Sequence, residues 1–218
     1  MPDTADIKTV SIDVLFDPIC PWCFIGKRRL DEAIRQRPGL RVQRRWRPFL
    51  LNPEMPREGL DRTAYLVRKF GSEERVRRVY GAIEEAGLSV EIDFAFHRIK
   101  QTPNTVDAHR LMRFADQSGK ADATAEALFH CFFINAENIG ERRVLLDISA
   151  ALELDVSAVS RYLDSDRDVD VIYEENAEAH RMGINGVPSY LFNGIMAISG
   201  AQEPPVLARM LDAALATG

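Results

Sequence analysis

Two cysteines three residues apart, in the run Cys20-Pro21-Trp22-Cys23, are the residues of this 218-residue chain whose types and spacing carry chemistry. They sit where a run rich in β-formers, residues 10–16, gives way to a helical pattern over residues 21–36. Positions i and i+3 at a helix start approach within disulfide range without distorting the backbone, so the pair suits reversible oxidation. Pro21 falls at the first helical position, where a missing N–H costs nothing and the fixed φ suits the helix, and this makes Cys20 the N-cap. The unpaired N–H groups and the positive end of the helix dipole favour a thiolate there, which marks Cys20 as the attacking sulfur. Cys23 lies one turn in, on the stripe Cys23, Gly26, Leu30, Ala33, Ile34 and Arg37, which is mostly small and apolar as a face packed on a sheet should be. It is the shielded, resolving partner.

A CxxC is also half of a zinc site, but a structural zinc takes four ligands, commonly as a second pair. The remaining candidates are Cys131, His97, His109, His130 and His180, and none is arranged as a second ligand pair, so no metal is expected. Cys131 falls in a strongly apolar helical stretch, residues 125–134, and reads as a buried inert thiol.

The elements that must position the dithiol follow from periodicity. Residues 10–16, 21–36 and 40–49 read as strand, helix and strand, a β-α-β unit whose right-handed crossover places the CxxC at the carboxyl end of the first strand. From residue 57 to 167 helical periodicity dominates, with a less regular passage over residues 88–103 expected to line a cleft. Residues 169–182 read as a helix stopped by Gly183. Asn193-Gly194 between two apolar runs signals a hairpin, and residues 203–216 form a last helix with Pro204 and Pro205 in its first turn.

The net charge of −5 and a pI near 5.5 offer no basis for nucleic-acid binding. The basic run at residues 41–47 interleaves Val42 and Trp46 with solvated positions and reads as a strand. No stretch approaches the ~18 consecutive apolar residues of a membrane span. The first ten residues lack the cationic start and apolar core of a secretory signal, so the expected address is the cytoplasm, where a dithiol cycles rather than staples the fold.

A β-α-β half carrying CxxC, together with a β-hairpin-α half entered through Val187-Pro188, resembles the thioredoxin fold. The long helical insertion and the runs FDPICPWCFIGKRRL, WRPFLLNP, TPNTVDAHRL, GINGVPSYLFNG and ISGAQ resemble the DsbA-like family, and within it the FrnE-like branch of mostly cytosolic dithiol oxidoreductases. The resemblance implies an α/β fold: a thioredoxin-like domain made of residues 1–56 and 168–218, interrupted by an all-helical insertion at 57–167. It implies a cis Val187-Pro188 peptide against the CxxC, with the Val187 backbone, Pro21 and Trp22 meeting the substrate. It also brings Asn104 and His109 toward the site. Asn104 equally reads as a helix cap, and His109 equally as a histidine packed between domains. Residues 199–202 offer either backbone N–H groups to a peptide carboxylate or a plain helix start.

Thioredoxins carry a buried acid six residues before the first cysteine, where this chain has Val14, which leaves Asp13 and Asp17 as candidates for proton relay. Trp22 offers apolar surface in place of the histidine of periplasmic relatives. The function expected is thiol-disulfide exchange with protein or peptide disulfides, with glutathione as a candidate co-substrate and no other cofactor. Two alternatives stand beside it: a glutathione-dependent isomerase or transferase of the same fold, whose members typically replace the first cysteine with serine, and a non-enzymatic peptide-binding or holdase module. Neither the substrate nor the oligomeric state is fixed by sequence.

Overall fold

A computed structural model describes residues 9–217, so most of the amino-terminal segment read for a secretory signal lies outside the described residues. Strand β1 (Thr9–Phe16), helix α1 (Pro21–Arg35) and strand β2 (Arg41–Pro48) form the β-α-β unit, with β1 and β2 parallel from Thr9 opposite Arg41 to Phe16 opposite Pro48. The second half supplies β5 (Ser189–Phe192), β6 (Met196–Ser199) and α9 (Pro204–Thr217), giving a four-stranded sheet in the order β2-β1-β5-β6. Asn193 and Gly194 take φ of 49° and 70° at the hairpin, the left-handed conformation that its two-residue turn requires.

Strand alternation sorts the core into layers. Val10, Ile12 and Val14 pack with Leu30, Tyr190, Phe192, Leu207 and Leu211 under α1 and α9, while Leu15 on the other face meets Phe49, Ala179 and Ile184 beneath α8 (Val169–Arg181). The sheet is therefore covered on both sides.

Between β2 and α8 run α2 (Arg62–Phe70), α3 (Glu73–Leu88), α4 (Val106–Asp116), α5 (Ala121–Phe133), α6 (Arg142–Ala151) and α7 (Val156–Asp164). The insertion also contains one antiparallel ladder, β3 (Leu60–Asp61) with β4 (Gln101–Thr102), which ties the entry of α2 to the passage before α4. The insertion packs directly on the dithiol helix: Cys20, Cys23, Phe24 and Ile25 share one core with Phe94, Phe129, Phe132 and Phe133. Phe24 stacks on Phe129 at 5.1 Å, a contact that fixes α1 against α5. No helix among the described residues is long and apolar enough to cross a membrane.

Candidate active site

The start of α1 presents the dithiol. Cys20 is the N-cap in extended conformation (φ −90°, ψ 111°) with Pro21 at the first helical position, and its side chain makes no capping hydrogen bond. The sulfur is thus not tied to its own helix. Its backbone N–H donates to the Asp17 carbonyl at 2.9 Å, and the Cys23 N–H to the Cys20 carbonyl at 3.0 Å. Both cysteines are free thiols, and Cys20 and Cys23 are 4% and 1% exposed.

Val187 comes from the far half of the chain. Its peptide to Pro188 is cis, and the Cys20 thiol donates to its carbonyl oxygen at 3.5 Å. The approach depends on Gly26, one turn along α1. A Cβ there would lie 2.3 Å from the Tyr190 hydroxyl and 2.9 Å from Pro188 Cγ, so only glycine lets the helix settle against this loop. The sequence placed Gly26 on the buried stripe without revealing this role.

Behind the thiols lies Asp17, fully buried in the loop between β1 and α1. Its carboxylate accepts hydrogen bonds from the backbone N–H of Leu51 at 2.9 Å and Ile19 at 3.1 Å, and from the Thr105 hydroxyl at 3.5 Å. Burial outweighs these bonds and raises its pKa to about 6. Burial also pushes the Cys23 thiol well up, helped by a hydrogen bond and the charge of Cys20 and, more weakly, by the Asp17 carboxylate. Asp13, the other relay candidate, faces elsewhere and pairs with Arg45 at 2.8 Å.

In front of Cys20 opens a cavity of about 320 Å³. Cys20, Pro21, Trp22 and Val187 line one side, and Tyr65 and Lys69 of α2 with Tyr80 of α3 line the other. Trp22 is 37% exposed, an apolar surface at the mouth. Helix α2 presents Arg62, Tyr65, Leu66 and Lys69 at i, i+3, i+4 and i+7, one continuous face on this cavity. That spacing is present in the sequence, but one such stripe is not distinctive among the many in residues 57–167.

Neither Asn104 nor His109 lines the cavity in front of Cys20. Asn104 accepts from the Val106 N–H at 2.9 Å and donates to the Met55 carbonyl at 2.7 Å, so it starts α4 and tethers the segment after β2. His109 packs edge-on to Phe16 at 5.1 Å and lines a different cavity, with Trp46, Met112 and Arg113. Burial drops its pKa to about 3, opposed only by a hydrogen bond with the Phe49 backbone, so it is a neutral packing residue. The loop at residues 199–202 is also engaged. Gly200 donates to the Pro188 carbonyl at 2.7 Å, Gln202 to the Gly200 carbonyl at 2.8 Å, and Glu203 pairs with Arg29 at 2.7 Å. Cys131 is half-buried, and burial with Glu137 raises its pKa to about 12.

A dithiol at a helix start, shielded by a cis-proline loop and roofed by a helical insertion, defines a thioredoxin-fold protein of the DsbA type. The match to the DSBA-like thioredoxin domain over residues 11–212 makes the chain a member of that family. It is 28% identical over 205 residues to the uncharacterized protein YwbO of Bacillus subtilis (strain 168), covering 94% of this chain and 96% of that protein. Its fold matches that of a probable DsbA oxidoreductase from Streptomyces coelicolor at a TM-score of 0.88, with 23% identity over 96% of this chain and 91% of the other. It also matches the cytosolic disulfide reductase DsbM from Pseudomonas aeruginosa, solved with GSH, at a TM-score of 0.64, with 14% identity over 94% of this chain and 99% of the other.

Proposed function

We propose that this chain is a thiol-disulfide oxidoreductase of the FrnE-like branch, in which Cys20 exchanges with substrate and Cys23 resolves the mixed disulfide. The observation that carries this reading is the asymmetry of the pair. Cys20 faces the cavity and the Val187 carbonyl, while Cys23 is enclosed one turn behind with its thiol held protonated.

As a reductant, the Cys20 thiolate attacks one sulfur of a substrate disulfide, a Cys20–substrate S–S bond forms, and the other substrate sulfur leaves as a thiolate. Cys23 then loses its proton to Asp17 and attacks the Cys20 sulfur. The substrate's second thiolate leaves, the internal disulfide forms, and two electrons have passed from protein to substrate. Run backwards, the same steps oxidise a dithiol. Asp17 suits the relay because a carboxyl titrating near 6 exchanges a proton at physiological pH. An extended peptide docks on Trp22 and the Val187 backbone, and glutathione serves as an alternative thiol, in keeping with the GSH in the structure of DsbM. The address of that neighbour, named as cytosolic, agrees with a cytoplasmic one here.

The intact cysteine pair favours exchange over a glutathione-dependent isomerase or transferase, which needs no second thiol. The test is insulin reduction together with intermediate trapping. Cys20→Ala should remove turnover, and Cys23→Ala should accumulate a mixed disulfide on Cys20 that mass spectrometry identifies. Turnover retained in Cys20→Ala overturns the mechanism, and peptide binding retained in Cys20→Ser without any exchange in wild type would identify a holdase.

A further inference from the structure

We infer that the cavity beside Cys20 is a carboxylate-recognition pocket, in which Arg62 receives the acid group of a small thiol or disulfide whose sulfur meets Cys20. The inference rests on the exchange reading above and names the substrate class of that site.

Arg62 is 6% exposed and lines the cavity. Ring faces surround its guanidinium: Tyr80 at 5.2 Å, with Phe96 and Phe132 each at 5.8 Å. Its Nη2 has no hydrogen-bond partner among the described residues. Burial lowers its pKa, and the groups opposing this are the Tyr80 and Tyr65 hydroxyls rather than any carboxylate. The acids nearest in sequence are engaged elsewhere. Asp61 caps α2 by accepting from the Ala64 N–H at 2.8 Å, and Glu73 pairs with Arg77 at 3.4 Å. A buried cation without a counter-ion is costly, and a guanidinium is the group best matched to a carboxylate, two parallel N–H donors to two oxygens.

The rest of the cavity points the same way. Lys69, on the same face of α2, donates to the Tyr65 hydroxyl at 3.0 Å and has no acid partner among the described residues. Eight buried side-chain polar atoms lack a partner among the described residues. Three of them, Arg62 Nη2, Asn52 Nδ2 and Thr102 Oγ1, belong to residues that line this cavity, Arg62 also bordering a neighbouring cavity with Asp61 and Glu73, and Asn52 one with Glu54. Tyr65 explains the state of Asn52: its hydroxyl occupies the amide oxygen and leaves the amide nitrogen free to donate. Among the described residues no Asp or Glu lines the cavity, although the whole chain carries a net charge of −5. At about 320 Å³, with Phe70 and Val79 also in the wall, the space fits a compact molecule with a short carbon skeleton.

The test measures single-turnover oxidation of the reduced protein by three small disulfides of similar size: dithiodipropionate (anionic), hydroxyethyl disulfide (neutral) and cystamine (cationic). Each rate is divided by that of the same disulfide with a free model thiol. The corrected rate in wild type should be roughly tenfold higher for dithiodipropionate than for the neutral compound, the effect of one charge-assisted hydrogen bond, and lowest for cystamine. Arg62→Met should bring the anionic-to-neutral ratio close to one, and Arg62→Lys should retain part of it. Lys69→Met, away from the ring cluster, should lower the ratio by a smaller factor and serves even where Arg62→Met folds poorly. Equal corrected rates in wild type, or a ratio unmoved in both Met variants, overturn the pocket while leaving exchange standing. Failure of all three disulfides to oxidise the protein overturns the exchange reading and the pocket with it.

Discussion

Lys27 on α1 and Arg62 on α2 are both buried cations whose helices both border the cavity in front of Cys20, and their surroundings are opposite. Lys27 sits 2.8 Å from Asp31, 3.2 Å from Glu126 and 3.4 Å from Asp122, and Arg44 bridges Asp31 and Asp122 from β2. Burial alone would lower the Lys27 pKa, but the three carboxylates outweigh it and hold the ammonium above its ordinary value. Arg62 meets aromatic rings and, among the described residues, has no carboxylate opposing its burial. A closed ion cluster fixes α1 against β2 and α5 and has no vacancy for a ligand. An open one keeps an unmet charge, and a ligand is what meets it. Buried charge by itself therefore marks nothing, and its complement decides between scaffold and site.

The largest expected effect breaks the closed cluster. Lys27→Met removes the buried cation that Asp31, Asp122 and Glu126 share, leaving them only the more peripheral Arg44 and Arg28, and should destabilise the fold by about 3 kcal/mol in urea unfolding. A loss well under 1 kcal/mol would show the cluster to be hydrated and the contrast with Arg62 to be empty.

Asp17 is the open site's acidic counterpart, and its effect is read through pH. Its folded pKa of about 6 lies above the ordinary 3.8. The stability contributed by the neutral carboxyl is thus fully present below pH 3.8 and is lost as pH rises through 6, about 3 kcal/mol in all. Asp17→Asn removes that loss, so between pH 4 and pH 7 the variant should gain by about this amount relative to wild type. A constant offset is expected on top, because an amide cannot accept from both the Ile19 and Leu51 N–H groups. Denaturant unfolding at several pH values separates the two, and a pH-independent difference would show that burial does not shift this carboxyl. Resolution of the mixed disulfide should slow in the same variant.

The parts of this arrangement that were legible in sequence are local. Proline after a capping cysteine, the β-α-β periodicity and Asn193-Gly194 act within a few residues, and each appears where its pattern predicts. Asp17 was visible as a candidate, but its burial depends on Leu51 and Thr105, which reach it from the ends of other elements. The meeting of Asn52, Arg62 and Thr102 was not legible, because a ladder of two residues per strand has too little length to show a period. His109 shows the limit from the other side. Its place on a buried helix face was readable, whereas the cavity it faces depends on how α4 packs against Phe16.

Deleting the open cation should have the opposite consequence to deleting the closed one. Arg62→Met keeps an apolar stem against Tyr80, Phe96 and Phe132 and removes an unpaired buried charge, so stability should change by under about 1 kcal/mol. A loss as large as that of Lys27→Met would make Arg62 a scaffold residue.

The smallest effect separates the two cations of the cavity itself. Lys69 is the cation whose charge most lowers the Asp17 pKa, and any effect of Arg62 on that carboxyl is smaller. If Cys23 passes its proton to Asp17, resolution of the mixed disulfide speeds up as pH rises through about 6 and the carboxyl ionises. Lys69→Met withdraws a favourable charge from that ionisation, so the midpoint should move up by a few tenths of a pH unit, roughly what one partly screened charge contributes. Stopped-flow resolution of a preformed Cys20 mixed disulfide across pH 5 to 8 measures it. A downward shift would exclude Asp17 as the acceptor. A midpoint that moves instead with Arg62→Met would mean that the cation facing the ligand also governs the proton, and that the two tasks are not divided between them.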